Sequence, residues 1–388
     1  MKILIIAFSE SIHTARWINQ IADQNWEIYL YPSQITNKVH ADIRNVKILV
    51  PKVWRRKDNK YINLLFNLYN KIRNKTNSNY YEKRLYRYIK KFKPNIIHTL
   101  ETQNAGYLVY DIKKKYFKNK RFPIWWHTNW GSDIYLFGRL KEHKDKIKEV
   151  LHECDYYSCE CERDVKLAKE IGFSKTIMPV YPNTGGFDLK NLDKMRGGLV
   201  KPSKRKIIML KGYQGWSGRA LVAIRALTRI KEYLKEYKIL IYTSHEIDVR
   251  IAAELLSIEA GIDIQYIPIN SKHEEILRHH GNARVSIGLS ISDAISTSVL
   301  EAMAMGSFPI QSWTSGANEW FEDGKSGLLV PPEDPEIIAE AIKRALTDDE
   351  LVDRACEINW DTVQERLNYD MLKEITIRSY KHIIQNSF

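Results

Sequence analysis

The sequence predicts an α/β protein of two doubly wound domains, each a parallel sheet with helices on both faces and a cleft between the domains. Two observations predict it. Short apolar runs, the pattern of strands buried on both faces, alternate with stretches whose apolar residues recur at three- and four-residue steps. This alternation runs to Pro179, pauses at glycine-containing segments, and restarts at Lys206.

The elements follow in order. Lys2–Phe8 is a continuous apolar run and reads as a strand. His13–Asp23 is a helix with Ala15, Ile18, Ile21 and Ala22 on one side. Trp26–Leu30 and Val46–Val50 are strands. Tyr61, Ile62, Leu65, Leu68, Tyr69 and Ile72 share one helical face, and Tyr81, Leu85, Tyr88, Ile89 and Phe92 share another. Strand Asn95–Thr99, helix Gln103–Phe117, strand Pro123–His127 and helix Leu140–Leu151 come next. Strand Tyr156–Glu160, helix Arg163–Ile171 and strand Thr176–Pro179 close the first set.

Pro182 to Gly186 and Arg196-Gly197-Gly198 frame a connector. The second set is strand Lys206–Leu210, helix Ala220–Lys235, strand Lys238–Thr243, helix Ile247–Ala260 and strand Asp263–Ile267. Helix Lys272–Gly281, strand Ala283–Leu289, helix Ser298–Met305, strand Phe308–Gln311, a short strand near Leu328–Val330 and helix Pro335–Leu346 follow. The remaining C-terminal residues read as helical.

Composition excludes several classes. Of 388 residues, 44% are hydrophobic and 28% charged, which rules out a disordered, collagen-like or polytopic membrane chain. Four cysteines make no disulfide framework, and Cys154, Cys159 and Cys161 lack zinc-finger spacing, so reduced thiols are expected. The apolar run at the N-terminus is too short for a signal h-region, and no apolar window is long enough to span a bilayer. Net charge is +13, yet residues 51–122 alone hold 20 Lys and Arg against 4 Asp and Glu. That basic face points to a polyanion: nucleic acid, an anionic membrane surface or a phosphorylated substrate.

In open parallel sheets, ligands bind beyond the carboxyl ends of the strands. In the first domain those ends carry Ser9, Glu10 and His13, then His98 and Glu101, then His127, Asn129 and Asp133. In the second, Lys211 leads into Gly212-Tyr213-Gln214-Gly215-Trp216-Ser217-Gly218-Arg219 before a helix. The glycines would let backbone approach a ligand, Ser217 would cap the helix, and Lys211 and Arg219 would add charge to bound phosphates. The segment is neither a Walker A loop nor GxGxxG. Asp293 to Gly306 then sets Asp293 in a loop, Ser296, Thr297 or Ser298 at a helix start, and Glu301 in its first turn.

This last segment, Asp293-x7-Glu301-Ala-Met-Ala-Met-Gly306, resembles the hallmark of the retaining glycosyltransferases of family 4, which have the GT-B fold. Gly316-x-x-Glu319, Asp323-Gly324-Lys325-Ser326-Gly327-Leu328-Leu329-Val330 and Asp334 extend the likeness, as do Ile171-Gly172-Phe173 and Pro182-Asn183 through Asp188. The first acid is Asp293 where the family usually has Glu, and Ser9-Glu10-Ser11 replaces its glycine-rich first loop.

The resemblance implies an acceptor-binding domain at 1–190, a nucleotide-sugar domain at 200–370, and a helix at 371–388 packed back on the first. It implies that Glu301 bonds the ribose and Asp293 the transferred sugar. Lys211, Gly212 and Arg219 would hold the diphosphate with Ser296 and Thr297, and His127 would lie near the reaction centre. Ser9, Glu10, His13, His98, Glu101, Asn129 and Asp133 would face the acceptor. The expected activity is metal-independent hexosyl transfer from a nucleoside diphosphate sugar, a UDP-sugar in the first instance, with no cofactor. The acceptor is expected to be a glycan or lipid-linked molecule of polysaccharide, lipopolysaccharide or lipid-linked oligosaccharide synthesis. Residues 51–122 would meet an anionic membrane, placing the protein on the inner face of the cell membrane. A sugar-nucleotide epimerase on the same fold is the alternative enzyme. A nucleic-acid-binding protein is the alternative class, although the sequence contains no recognised nucleic-acid module.

Overall fold

A computed structural model describes residues 1–50, 60–76 and 79–386. The chain divides into two compact units: Met1–Gly185 with the residues from Met371 onward, and Gly186–Asp370.

Among the described residues, the first unit holds seven parallel strands: β1 (Lys2–Ala7), β2 (Glu27–Pro32), β3 (Lys47–Ile48), β4 (Ile96–Leu100), β5 (Ile124–Thr128), β6 (Tyr156–Ser158) and β7 (Thr176–Ile177). Their order is β3-β2-β1-β4-β5-β6-β7. The second holds six: β8 (Ile207–Lys211), β9 (Lys238–Tyr242), β10 (Asp263–Tyr266), β11 (Val285–Gly288), β12 (Phe308–Ser312) and β13 (Leu328–Val330), in the order β10-β9-β8-β11-β12-β13. Every strand pair is parallel. Each sheet winds outward from a central pair, β1/β4 or β8/β11, so the strand order reverses there and opens a crevice at the carboxyl ends.

The apolar runs make the strands because both faces are covered. Ile3, Leu4, Ile5 and Ile6 are all 0% exposed, as are Ile208, Met209 and Leu210 in the second sheet. The helix Tyr369–Gln385 packs in the first unit through Tyr380, whose hydroxyl accepts from Trp17 Nε1 at 3.0 Å and bonds His98 Nδ1 at 2.6 Å.

Several elements differ from expectation. The connector contains a helix, Leu189–Arg196, which Asp188 caps through Asn191 N. The helix read over 103–117 opens with a π-turn, Thr102–Gly106, before Tyr107–Tyr116. The helix read to Lys235 stops at Arg229 and continues as a 3-10 turn over Lys231–Tyr233. A short helix, Ser132–Tyr135, follows β5 and carries Asp133. All four cysteines are free.

Candidate active site

In the second unit, the loop after β11 feeds the helix Thr297–Met305, which Gly306 ends in the left-handed conformation. Ser296 is its N-cap residue, and its side chain makes no capping hydrogen bond. Lys211, the last residue of β8, donates from Nζ to Ser296 Oγ at 2.8 Å, and Ser296 Oγ lies 2.8 Å from Ser298 Oγ. A cation, two hydroxyls and a helix N-terminus thus meet at the β8/β11 switch point, an arrangement suited to anionic oxygens. Thr297 is half-buried at the first helical position.

Glu301 sits in the second turn of this helix rather than the first, because the helix begins at Thr297. It is 7% exposed, so its charge needs partners. His273 Nε2 donates to Glu301 Oε1 at 2.7 Å, and His280 Nε2 lies 3.9 Å from Oε2. Burial lowers His280 to about 4, leaving it neutral, while its Nδ1 bonds Ser286 Oγ at 2.8 Å. The sequence reading missed both histidines. They stand seven positions apart on the helix His273–Asn282, which puts them on one face. Asp293 lies in the preceding loop, its Oδ1 accepting from Ala294 N at 2.9 Å.

The segment Gly212–Arg219 differs from expectation at the helix cap. Ser217 does not cap the helix Ala220–Arg229; Gln214 does so from further back, its Oε1 accepting from Leu221 N at 3.1 Å. Ala220 N donates to Tyr213 O and Arg219 N to Leu289 O, so these amides are already used. Gly212 serves packing, since a Cβ there would come within 2.7 Å of Ile241 and 2.9 Å of Ser244. Arg219 pairs with Glu333 at 2.7 Å and donates to the carbonyls of Gly215 and Gly218. To hold a phosphate it must exchange that carboxylate.

In the first unit Glu101, His127 and Asp133 gather at the carboxyl ends of β4 and β5, while Ser9, Glu10 and His13 follow β1. Glu101 has φ +81° and ψ 154°, a region that costs a side-chain-bearing residue about 1–3 kcal/mol. Its carboxylate accepts from Asn104 N at 2.8 Å and from Ala105 N, capping the π-turn. Burial raises Glu101 to about 7 and Asp133 to about 6. Such backbone strain and π-turns cluster at functional sites.

His127 is fully buried, and its hydrogen bonds run in one direction. Trp125 Nε1, which can only donate, reaches Thr99 Oγ1 at 2.9 Å, and Thr99 Oγ1 bonds His127 Nδ1 at 2.8 Å. His127 Nε2 bonds Thr102 Oγ1 at 3.0 Å, and Thr102 Oγ1 donates to Asp133 Oδ2 at 3.2 Å. A chain that starts at an indole and ends at a carboxylate places the His127 proton on Nε2. Burial lowers His127 to about 3, so it is neutral.

His98 is corrected from a ligand-facing residue to a wall residue. Both its ring nitrogens are bonded, to Tyr380 and Thr128, and its ring stacks on Trp126 at 4.0 Å. Asn129 bonds Asp164 and Tyr157. Ser9 donates to Lys38 O at 2.7 Å, and Glu10 accepts from Thr36 Oγ1 at 2.7 Å, so both hold the segment after β2. His13 stands edge-on to Trp130 at 5.8 Å, with Phe8 on the same indole at 6.0 Å. Trp130 was missed in the sequence reading, and its Nε1 is buried without a partner. Among the described residues no group of three or more His, Cys, Asp or Glu is placed to hold a metal ion.

Each sheet thus reverses its strand order at a central pair, and the second sets a cation and a buried carboxylate on neighbouring elements. Residues 193–359 match the family model of glycosyl transferases group 1, and residues 2–159 match that of glycosyl transferase 4-like domains. The chain belongs to the group 1 glycosyltransferases and has their GT-B fold. Similar solved structures include a sucrose-phosphate synthase from Thermosynechococcus elongatus, with 16% identity, TM-score 0.72 and full coverage of both chains. HepE of Anabaena in complex with UDP-glucose has 12% identity and TM-score 0.69, covering 98% of this chain and 100% of its own. A lipopolysaccharide outer core galactosyltransferase in its apo form has 15% identity and TM-score 0.63, with 98% and 100% coverage. No curated protein matches the sequence.

Proposed function

We propose that this glycosyltransferase moves a hexose from a UDP-sugar to a hydroxyl of a glycan or lipid-linked acceptor, with retained anomeric configuration and without a metal ion. The observation that carries the reading is Lys211 Nζ on Ser296 Oγ at 2.8 Å, a cation at the start of the helix that bears buried Glu301. Glu301 holds the ribose, and Lys211 with the Ser296–Thr297 helix start holds the diphosphate. Asp293, in the loop before them, holds the transferred sugar.

The barrier is departure of the anionic nucleoside diphosphate as the bond from C1 to the phosphate oxygen breaks. Lys211 and the helix N-terminus stabilise that developing charge without reorganising. The acceptor oxygen forms its bond to C1 on the same face, and its proton passes to the departing phosphate oxygen. No protein base is then needed. Neutral His127 positions Thr102 and Asp133 at the carboxyl end of the first sheet.

The UDP-glucose and UDP held by HepE, and the likeness to a lipopolysaccharide outer core galactosyltransferase, are in keeping with a UDP-sugar donor and a cell-surface glycan or glycolipid product. Membrane association through the basic region is part of the reading. Residues 51–59 and 77–78 of that region lie outside the described residues. In the helix Lys60–Thr76, Leu64, Leu65, Leu68 and Ile72 are each more than half exposed and Tyr61 is 78% exposed. This stripe is the helix's exposed apolar face; Phe66 on the same helix is buried. Among the described residues no helix is long and apolar enough to cross a membrane.

The test is a thermal-shift screen of UDP-, GDP- and ADP-sugars in EDTA, followed by transfer assays and determination of the product anomer. Stabilisation by UDP-sugars and an unchanged anomer are expected. Selective stabilisation by another nucleotide, or an inverted product, would contradict the reading.

A further inference from the structure

We propose that the first unit carries a separate site for one anionic amphiphile, at the amino ends of its central strands. A cavity of about 510 Å³ opens there, within the ~300–1,000 Å³ range of small-molecule sites. Three segments build it: the end of the helix Tyr80–Phe92, the connection from Phe117 to β5, and the last turn of Tyr369–Gln385. Pro94 and Asn95 precede β4, and Ile124 starts β5. The cavity therefore lies at the opposite edge of the sheet from Glu101, His127 and Asp133.

Its walls are apolar and its mouth is cationic. Ile89, Phe117, Phe122, Ile124 and Ile384 supply hydrocarbon and aromatic surface. Lys90, Lys93 and Arg121 line the same cavity, and all three are exposed. Among the described residues, no carboxylate lies within ion-pair distance of any of them. The segments 83–95 and 113–124 contain no Asp or Glu at all. Lys93 closes its helix in the left-handed conformation at φ +45°.

Unpaired cations around an apolar recess fit a molecule with a phosphate or carboxylate head and a hydrocarbon tail. A free anion would use the rim and leave the walls wet; a neutral chain would leave the cations idle. The assignment does not depend on the donor reading, because none of these residues belongs to the transferase machinery.

The experiment is calorimetric titration of the full chain with dihexanoyl phosphatidic acid, kept below its micelle concentration. Inorganic phosphate and dihexanoyl phosphatidylcholine serve as the two controls. The phosphatidic acid should bind at least tenfold more tightly than either. Lys93→Glu combined with Arg121→Glu should weaken it by about tenfold or more, the worth of one or two charge-assisted bonds. Ile384→Trp, which fills the recess, should abolish it, with circular dichroism and UDP affinity unchanged in both variants. Equal binding of phosphate, equal binding of phosphatidylcholine, no binding of phosphatidic acid, or indifference of the variants would each overturn the assignment.

Discussion

His273 Nε2 donates to Glu301 Oε1 at 2.7 Å, and that bond fixes the one buried carboxylate of the Thr297–Met305 helix in a single orientation. A carboxylate oxygen has two lone pairs, so Oε1 can keep His273 and still accept a ribose hydroxyl. In the proposed function His273 is accordingly a positioning residue for the nucleotide.

His273→Ala should weaken UDP affinity by about three- to tenfold, the value of one ordinary hydrogen bond. His273→Gln, which retains a donor, should recover most of it. Calorimetry on the two variants checks this, and tighter binding by the alanine variant would mean that His273 competes with the ribose.

Lys211→Met keeps the aliphatic stem and removes the charge beside Ser296 Oγ. Because the diphosphate gains charge as it leaves, turnover should fall by about ten- to a hundredfold. Steady-state transfer kinetics read this directly; unchanged turnover would remove Lys211 from the chemistry.

The neutral His127 makes a pH prediction. Its folded value, about 3, lies below the unfolded 6.5, so its contribution is present above pH 6.5 and is lost as pH falls towards 3. Between pH 6.5 and 4.5 the first unit should lose about 2 kcal/mol through this residue. His127→Gln should remove that contribution and leave those of His98, which runs in the same direction, and of Glu101 and Asp133, whose raised values run in the opposite one. Denaturation followed by the fluorescence of the buried Trp17, Trp125 and Trp126 measures it.

The exposed stripe of the helix Lys60–Thr76 predicts binding to anionic liposomes at low salt, with about 1 kcal/mol from each Lys or Arg near the surface. Leu64→Glu with Leu68→Glu should abolish co-sedimentation without changing UDP affinity. Sedimentation indifferent to these changes would assign membrane binding elsewhere.

Much of this architecture is legible in the sequence. Apolar runs such as Ile3–Ile6 and Ile208–Leu210 have only one way to be buried on both faces. The helix Leu189–Arg196 is not legible, because glycines on either side read as linker while Asp188 supplies the cap. The π-turn is hidden because the residues around it keep helical periodicity. In the site, Lys211, Ser296 and Glu301 can be found from strand ends and a helix start. Their engagement cannot: the partner of Arg219 is Glu333, and that of Glu301 is His273 on another helix. Local pattern carries no record of such pairs, although the i, i+7 spacing of His273 and His280 was a usable signal.

In the proposed function Glu301 acts on the nucleotide and Asp293 on the transferred sugar, and calorimetry with UDP alone tests that division most directly. Glu301→Gln should weaken UDP binding by about ten- to a hundredfold, since a hydrogen bond to a charged group is worth roughly 1.5–3 kcal/mol. Asp293→Asn should leave UDP affinity nearly unchanged while turnover falls. Equal loss of UDP affinity in the two variants would contradict the account.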